Sequence, residues 1–225
     1  MSIKKNDFVE IEYTGRLKDD NIVFDTTDES VANKNNINSK NTKYGPVIVC
    51  VGQQHVVKGL DEFFVGKDVG TFSVEILPEN AFGKKDAKLI AMVPTKKFLE
   101  QKIQPMPGLQ VNIDGVMGII RAVNGGRTVV DFNHPLSGKI IVYDVKINRL
   151  VTDKKEKANA LARLYFSSDV KIFVDGDIAK IESVQDVPGN IVDDFKKQFK
   201  ELAGVELEFV KPRENEVTQE SEKDK

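Results

Sequence analysis

Short stretches in which apolar and polar residues alternate make up most of the first 83 residues. They read FVEIEYTGRL, NIVFDTT, PVIVCVG and TFSVEILP, and turn residues bound each one. Their β-branched and aromatic content is typical of short strands. One helical pattern interrupts them, because Val56, Leu60 and a phenylalanine recur at helical spacing before a glycine. This part of the chain therefore predicts a sheet with one helix, and residues 33–43, with Ile37 as their only apolar residue, predict a solvated loop.

The stretch 13–27 reads as strand, polar turn and strand, and its side chains raise a question. Tyr13 stands on the first strand, and Phe24 and Asp25 follow just past the turn. Taken alone, aromatic residues on strand faces belong to a core more often than to a pocket. An aspartate alone more often lies at a turn or an edge. The residues themselves leave both interpretations open.

Residues 84–131 have a different pattern, with several short strands, a short helix near 95–101, and Pro-Gly and Gly-Gly turns. A long alternating strand follows, in which Tyr143, Val145 and Ile147 share one face. We expect this strand to rejoin the first sheet, since its apolar face needs a partner. Residues 84–131 are then an insertion between two strands of one domain.

The segment from residue 151 predicts a separate unit in the order helix, strand, strand, helix, strand. Its first helix is amphipathic, an Asp-Gly turn at 175–176 predicts a hairpin, and Gly204 ends the second helix. The order is a ferredoxin-like pattern that lacks its first strand. The tail from 213 to 225 is charged, and we expect it to be disordered.

The composition favours an ordinary globular protein and gives no sign of a nucleic-acid-binding or membrane protein. Of the 225 residues, 40% are hydrophobic and 30% charged, which is typical of a soluble globular protein. The net charge of −2 gives no electrostatic reason to expect nucleic acid or a membrane surface as a partner. Cys50, the single cysteine, sits in an apolar run and is expected to be a core residue in a reducing compartment. With no signal-peptide pattern and no apolar run long enough for a bilayer, we expect a cytoplasmic protein.

Four motifs, in this order, resemble the FKBP-type peptidyl-prolyl cis–trans isomerases. They are YTGRL with VFDTT, VGQQHVVKGLDEFFVGKDVG, VEILPENAFG and KIIVYDVKINRL. The insertion after AFG and the phrase NHPLSGK are similar to the long, insert-in-flap (SlyD-like) subclass found in archaea and bacteria. The resemblance covers roughly residues 1–150. The C-terminal region is similar, on weaker grounds, to the extra domain of longer archaeal members.

The resemblance implies an α+β fold: a half-open antiparallel β-sheet wrapped on a short helix, with a small β-rich insert-in-flap domain and a C-terminal α/β ferredoxin-like-type domain. The implied domains are residues 1–83 with 132–150 for the isomerase, 84–131 for the insert and 151–212 for the C-terminal domain. A shallow apolar pocket between sheet and helix is expected to hold a proline ring. The implied catalytic residues are Tyr13, Phe24, Asp25 and Tyr143. The implied substrate-binding residues are Val47, Val49, Val56, Val57, Leu60 and Phe82.

Isomerisation of an Xaa–Pro bond needs neither a cofactor nor a metal. The barrier is about 18–20 kcal/mol, and no bond breaks when it is crossed. The twisted amide of the transition state has less charge separation than the planar ground state, so an apolar pocket favours it. Consistently, the two histidines, His55 and His134, are far apart in sequence, and no metal-spaced cluster is present. His55 is expected to be exposed, and His134 to be a structural hydrogen-bonding residue more than a general base.

Two positions depart from the family pattern. Leu60 stands where the family usually has a tryptophan at the pocket floor, and Phe82 stands where it usually has a tyrosine. The second change removes a hydroxyl that the resemblance places on the bound peptide, worth about 0.5–1.5 kcal/mol. We therefore expect weaker binding of peptide, with catalysis retained, and reduced affinity for macrocyclic inhibitors of the family.

The insert holds three of the four methionines of the chain, at 92, 106 and 117. Flexible thioethers suit either a small core or a surface that accepts varied unfolded segments. The resemblance favours a surface that binds unfolded chains and raises the local concentration of prolines at the pocket. The residues expected on that surface are Leu89, Ile90, Met92, Val93, Phe98 and Leu99.

The expected function is peptidyl-prolyl isomerisation in unfolded or nascent proteins, with a holdase-like chaperone domain. One alternative is a non-catalytic peptide-binding chaperone in which Leu60 and Phe82 reflect lost turnover. Another is an assembly scaffold in which the C-terminal domain matters most. That domain has an open sheet edge, so the sequence predicts either a homodimer through it or its docking onto the isomerase domain.

Overall fold

The computed structural model describes residues 2–39, 42–166, 172–182 and 189–210. Its strands are β1 Phe8–Leu17, β2 Val23–Thr26, β3 Val47–Cys50, β4 Gly70–Ile76, β5 Ile90–Pro94, β6 Gln110–Ile113, β7 Val116–Asn124, β8 Arg127–Asp131, β9 Ile141–Val151, β10 Ile172–Asp175, β11 Ile178–Glu182 and β12 Glu206–Val210. Its α-helices are α1 Glu29–Lys34, α2 Lys58–Phe64, α3 Thr95–Glu100, α4 Lys154–Tyr165 and α5 Gly189–Gln198. A π-helical turn, Phe199–Ala203, extends α5, and Gly204 follows it in the left-handed conformation.

The first sheet is antiparallel, in the order β2-β1-β9-β4, and β3 pairs with the β2 edge of β1. The long strand β9 lies between β1 and β4, so the chain does return to the first sheet after the insertion. Alternate β9 residues such as Tyr143, Val145 and Ile147 are buried, as their spacing predicted.

Helix α2 packs on one face of this sheet. Leu60 and Phe64 are fully buried on its inner side and join a core that includes Ile11 and Val145. The helix is only seven residues long, so packing of this apolar face, more than helical propensity, stabilises it.

Residues between β4 and β9 form a second, separate sheet in the order β5-β8-β7-β6, with α3 on one face. Phe98 of α3, Val111, Ile120 and Val130 are the centre of its small core. Gly118 lies against this core, where a Cβ would come within 2.7 Å of the Val130 side chain. The insertion thus has its own hydrophobic core.

The third sheet has the order β10-β11-β12. β10 and β11 form a hairpin, and β11 pairs directly with β12 in parallel. This direct parallel pairing differs from the split arrangement of a ferredoxin-like sheet, in which another strand lies between the two.

The core beneath this third sheet is shared with the first sheet. Phe8, Cys50 and Val151 belong to the same buried cluster as Leu161 and Phe199. Cys50 is therefore a core residue, as its apolar surroundings predicted, and burial raises the pKa of its thiol to about 12, with a further contribution from the charge of Asp61. The C-terminal unit therefore packs on the first sheet, and the homodimer stays a prediction.

One helix was not predicted. Helix α1, Glu29–Lys34, extends into the start of the loop predicted at 33–43, and Asp28 caps it by accepting hydrogen bonds from the backbone N–H groups of Ser30 and Val31. The expected disorder of the tail lies outside the described residues. Over the ranges that the structure describes, no helix has the length and apolarity needed to span a membrane.

Candidate functional site

A cavity of about 260 Å³ lies between the first sheet and α2. Its lining residues are Tyr13, Asp25, His55, Val56, Val57, Leu60, Phe82 and Tyr143. Seven of these eight were expected from the sequence. The site draws on strands β1, β2 and β9, on the loop before α2 and α2 itself, and on the segment after β4.

An irregularity between β1 and β2 brings Tyr13, Phe24 and Asp25 together. Gly15 pairs with Asp25 and Arg16 pairs with Val23, so Phe24 is an extra residue in the ladder, as in a β-bulge. Asp25 consequently reaches Tyr13, whose hydroxyl donates a hydrogen bond to its Oδ2 over 3.1 Å. The hairpin residues therefore belong to one site: Asp25 lines the cavity beside Tyr13, and Phe24 packs next to it.

Gly15 makes room for the aromatic rings. A Cβ at this position would lie 2.8 Å from atoms of both Phe24 and Tyr143. The rings meet edge to face: the Tyr13 and Tyr143 centroids are 5.5 Å apart, and Phe24 lies 5.8 Å from Tyr143 and 5.9 Å from Phe82. Such aromatic pairs stabilise one another by about 0.5–1.5 kcal/mol beyond area burial. Phe24 therefore stands behind the cavity wall and holds Tyr143 and Phe82 in place.

Besides Phe24, two expected pocket residues, Val47 and Val49, do not line the cavity. Val49 is 3% exposed and belongs to the core of the sheet, and Val47 packs against the same core. Both lie on β3, which pairs with β1 at its far end, opposite residues 8–11. The two valines therefore lie outside this cavity, and their assignment to substrate binding stays a prediction.

His55 is a site residue that the sequence prediction placed at the surface. It lines the cavity, and its Nδ1 accepts a hydrogen bond from the backbone N–H of Cys50 over 3.1 Å. Burial lowers the pKa of His55, and the nearby charge of Asp61 opposes this only in part. Its position directly before the pocket residues Val56 and Val57 is the signal that could have identified it.

The carboxyl group of Asp25 lies in a partly dehydrated setting. Burial raises its pKa, although hydrogen bonds from the Tyr13 hydroxyl and the Thr26 backbone act in the opposite direction. Burial and the Asp25 charge also raise the pKa of Tyr13 and of Tyr143. Both phenols therefore keep their protons at neutral pH, and the Tyr13 hydroxyl donates its proton in a hydrogen bond to Asp25.

A smaller cavity of about 80 Å³ also borders Asp25. Its lining includes Phe24, Asp25, Ile37 and Tyr44.

The two segments that join the insert to the first sheet meet at Phe82. The Ser137 hydroxyl donates a hydrogen bond to the Phe82 carbonyl over 2.9 Å, and the His134 ring stacks on the Phe82 ring with centroids 4.8 Å apart. His134 Nδ1 also accepts a hydrogen bond from the Leu136 N–H. These contacts agree with the structural role predicted for His134.

A buried carboxylate lies where β8 of the insert ends. Asp131 is 2% exposed, its Oδ1 accepts two hydrogen bonds from Asn133, and its Oδ2 pairs with Arg121 and Lys85. Burial alone would raise its pKa, but the hydrogen bonds from Asn133 and Arg121 and the charge of Lys85 outweigh it and lower the pKa to about 2. Asn133 also exchanges two hydrogen bonds with the backbone of Asp86. The cluster therefore joins the incoming and outgoing segments of the insert.

Of the residues expected on an exposed apolar surface of the insert, four are exposed and two are not. The exposed fractions are 45% for Leu89, 42% for Ile90, 67% for Met92 and 56% for Leu99. The assignment of Phe98 to this surface is wrong, since Phe98 is 4% exposed at the centre of the insert core, and Val93 packs against that core. Both face inward because β5 alternates and because α3 turns one side to the sheet. Met106, Val116 and Met117 are further exposed apolar residues that complete the set.

Comparison with known proteins agrees with this geometry. The family model of the FKBP-type peptidyl-prolyl cis-trans isomerases matches residues 1–104, and a model described as the FKBP26 IF domain matches residues 91–136. A short-type peptidyl-prolyl cis-trans isomerase from Methanocaldococcus jannaschii is 33% identical over 146 residues, which are 64% of this chain and 92% of the relative.

Two bacterial relatives show the same extent of similarity. The FKBP-type 16 kDa peptidyl-prolyl cis-trans isomerase of Escherichia coli is 32% identical over 65% of this chain and 92% of its own length. The FKBP-type peptidyl-prolyl cis-trans isomerase SlyD of Haemophilus influenzae is 29% identical over 65% of this chain and 72% of its own length. The chain therefore belongs to the FKBP-type peptidyl-prolyl cis–trans isomerase family and is a rotamase.

Proposed function

We propose that the 260 Å³ cavity is the isomerase site and that it holds the proline ring of an unfolded or nascent polypeptide. One observation carries this proposal: the cavity has apolar and aromatic walls and a single carboxylate, Asp25, which accepts a hydrogen bond from the Tyr13 hydroxyl. Pockets that orient a small ligand combine such walls with a few placed polar groups.

Isomerisation in this cavity follows from the physics of the amide bond. Twisting the Xaa–Pro bond removes resonance and reduces charge separation. The twisted amide therefore loses less hydration free energy than the planar amide when it moves from water into the cavity. Leu60 at the floor and the Phe82 and Tyr143 rings at the sides supply the apolar surroundings. No group has to be transferred, because no bond is broken.

The polar groups orient the peptide. In this proposal the backbone N–H of Val57, at the start of α2, meets a substrate carbonyl. Asp25 is the polar contact at the rim, fixed by the Tyr13 hydroxyl. Phe82 offers no hydroxyl to the bound peptide, so affinity rests on shape and on apolar burial.

Exchange NMR on a short Xaa–Pro peptide tests the site. A peptide needs no capture by the insert, so the cavity alone determines its exchange rate. We expect the full chain to accelerate exchange, and Tyr13→Ala and Asp25→Ala to lower kcat/KM by about tenfold, the loss of a buried hydrogen bond to a charged group. Tyr44→Phe is the matched control, because the Tyr44 hydroxyl accepts a hydrogen bond from the Ser39 N–H outside the main cavity. Unchanged activity in both alanine variants would place the site elsewhere.

The insert, residues 84–131, is proposed to be an insert-in-flap chaperone domain that captures unfolded chains. Its separate core supports an independent module, and the match of residues 91–136 to the FKBP26 IF domain supports its type. Ile90, Met92, Ile119 and Val129 share one face of its sheet by register, and Met92 is 67% exposed there. Exposed apolar patches of this kind fit unfolded segments. Deletion of 84–131 should leave exchange of a short peptide unchanged and slow the catalysed refolding of proline-limited proteins.

The C-terminal unit, residues 151–212, is proposed to be the extra domain of a long archaeal member of the insert-in-flap (SlyD-like) subclass. Its hairpin exposes Phe173 by 56% and Ile178 by 38%, which supports the homodimer predicted from its open edge. Light scattering at micromolar concentration tests this, and a monomer mass would contradict it. The burial of Cys50 as an unpaired core residue is consistent with a reducing compartment, so we keep the cytoplasm as the proposed location.

A further inference from the structure

A pair of rings connects the proposed rotamase site to the C-terminal unit. The ring of Tyr165, the last residue of α4, meets the ring of His55 edge to face, with centroids 6.0 Å apart and planes at 78°. His55 is also a wall of the cavity. One residue thus separates the substrate cavity from the C-terminal helix.

Tyr165 is itself held in place from the C-terminal side. Its ring stacks on Phe195 of α5, with centroids 5.3 Å apart, and Phe195 also meets Phe166 at 4.7 Å. Helix α4 is anchored by Ala158 and Leu161, which are fully buried in the core shared with Phe8 and Cys50. Tyr165 therefore occupies a fixed position relative to the first sheet.

A single hydrogen bond orients the His55 ring. Its Nδ1 accepts the Cys50 N–H, so in the neutral ring the proton is on Nε2. The Nε2 atom is buried and has no hydrogen-bond partner among the described residues. If the ring turned toward water, its Nε2–H would gain a hydrogen bond, which would lower the free energy. Packing against neighbouring side chains must therefore keep the ring in its observed orientation. Tyr165 supplies packing through its edge-to-face contact with the ring.

The loop that carries His55 is clamped at its other end by α2. The buried carboxylate of Asp61 accepts the backbone N–H of Gly52 at 2.8 Å and that of Gln54 at 2.9 Å. These two bonds fix the first half of the loop. In the second half, the Val57 carbonyl accepts the N–H groups of Leu60 and Asp61, and the His55 ring, which packs on Tyr165, directly precedes Val56.

We propose that Tyr165 is a positioning residue of the isomerase: through His55 it fixes the loop that presents Val56 and Val57 to the peptide. The C-terminal unit is then part of the catalytic machinery in addition to any role in assembly. This inference rests on the proposed location of the site. It assigns to α4 a function in substrate binding, which predicts a change in KM more than in kcat.

The experiment uses the full chain and a short Xaa–Pro peptide. Tyr165→Ala should raise KM about two- to tenfold, the factor that corresponds to one aromatic pair, with kcat changed less than twofold. The backbone amide signals of residues 55–57 should shift in the same variant. Tyr165→Phe keeps the ring and should restore both properties. Leu164→Ala, on the same turn of α4 and 40% exposed, is the matched control and should change neither.

A second measurement separates positioning from loss of folding. If Tyr165→Ala disrupts the C-terminal unit, Tyr165→Leu replaces it in these measurements, because leucine keeps apolar volume and removes the ring. The effects of Tyr165→Leu and His55→Ala on KM should be non-additive, since both act on one contact. A folded variant with unchanged KM and unchanged amide signals at 55–57, or fully additive effects, would overturn the inference. Should the cavity prove not to bind peptide, the amide signals in the free protein still decide whether Tyr165 fixes the loop.

Discussion

The imidazole of His134 lies flat on the phenyl ring of Phe82, with centroids 4.8 Å apart and an angle of 4° between the planes. Phe82 is a wall of the cavity, and His134 belongs to the segment that returns from the insert. The Ser137 hydroxyl and the Gly138 N–H bond to the carbonyls of Phe82 and Gly83 from the same segment. The return segment therefore supports the wall of the cavity on which substrate is proposed to rest.

This stacking predicts the effect of changing His134. His134→Ala should lower kcat/KM for a short peptide about two- to tenfold, since Phe82 loses an aromatic partner worth about 0.5–1.5 kcal/mol. His134→Phe keeps a flat ring and should retain activity. Peptide exchange NMR measures both, and equal activities of the alanine and phenylalanine variants would show that stacking is irrelevant to the site.

Phe82→Tyr should improve the enzyme. The change adds the hydroxyl that the family pattern places at this position, and one hydrogen bond to peptide is worth about 0.5–1.5 kcal/mol. KM for a short peptide should fall about two- to tenfold. Phe72→Tyr, on β4 beside Phe63, serves as the control because Phe72 does not line the cavity. A KM that does not fall would mean that the peptide carries no acceptor within reach of residue 82.

Tyr13→Phe should change the pH dependence of the reaction. Burial raises the pKa of Asp25, and the hydrogen bond from Tyr13 is a factor that lowers it. Without the hydroxyl the pKa rises further, so Asp25 becomes protonated at a higher pH. The acid side of the kcat/KM profile should therefore move to higher pH in this variant. A profile that keeps its acid limb in place would exclude Asp25 as the titrating group.

The ionised Asp131 should stabilise the fold at neutral pH, and this contribution should be lost in acid. Its folded pKa of about 2 lies below the ordinary value of 3.8, so its stabilisation is fully present above pH 4 and is lost as the pH falls toward 2. Asp131→Asn should lower the melting temperature at pH 7, and its difference from the wild type should be much smaller at pH 2, where the folded Asp131 is about half protonated. Thermal unfolding followed by circular dichroism at both values measures this. Asp114→Asn is the control, since Asp114 lies exposed in the turn between β6 and β7. A difference of the same size at pH 7 and at pH 2 would contradict the ionic origin.

The exposed face of β5 should act on protein substrates only. Ile90→Ser with Met92→Ser should slow catalysed refolding of a proline-limited protein severalfold and leave short-peptide exchange unchanged, because only the larger substrate is proposed to reach the insert. Val69→Ser, at a 52% exposed residue of the first domain, is the matched control. Equal losses with peptide and protein would mean that these changes disturb the cavity instead of the insert.

Local pattern was sufficient to predict most of the elements. Alternation in β1 and β9 predicted which residues face inward, and the spacing of Val56, Leu60 and either Phe63 or Phe64 predicted α2. Helix α1 escaped prediction because it is six residues long and mostly polar, and its Asp28 cap is its main signal. Phe98 was placed on the surface because an apolar residue on a short helix carries no sign of which side meets the sheet.

The sequence by itself determined the inventory of the site: the motifs around Tyr13, Asp25, Leu60, Phe82 and Tyr143 are local, and their order along the chain indicates the family. Only the tertiary structure decided which of the candidates meet. Val49 lies in the core, Phe24 stands behind the wall, and His55 enters the cavity, since these outcomes depend on a β-bulge and on contacts between distant elements. The contact of Tyr165 with His55 joins residues 110 positions apart, and such a pair leaves no local pattern, because long-range packing fixes it.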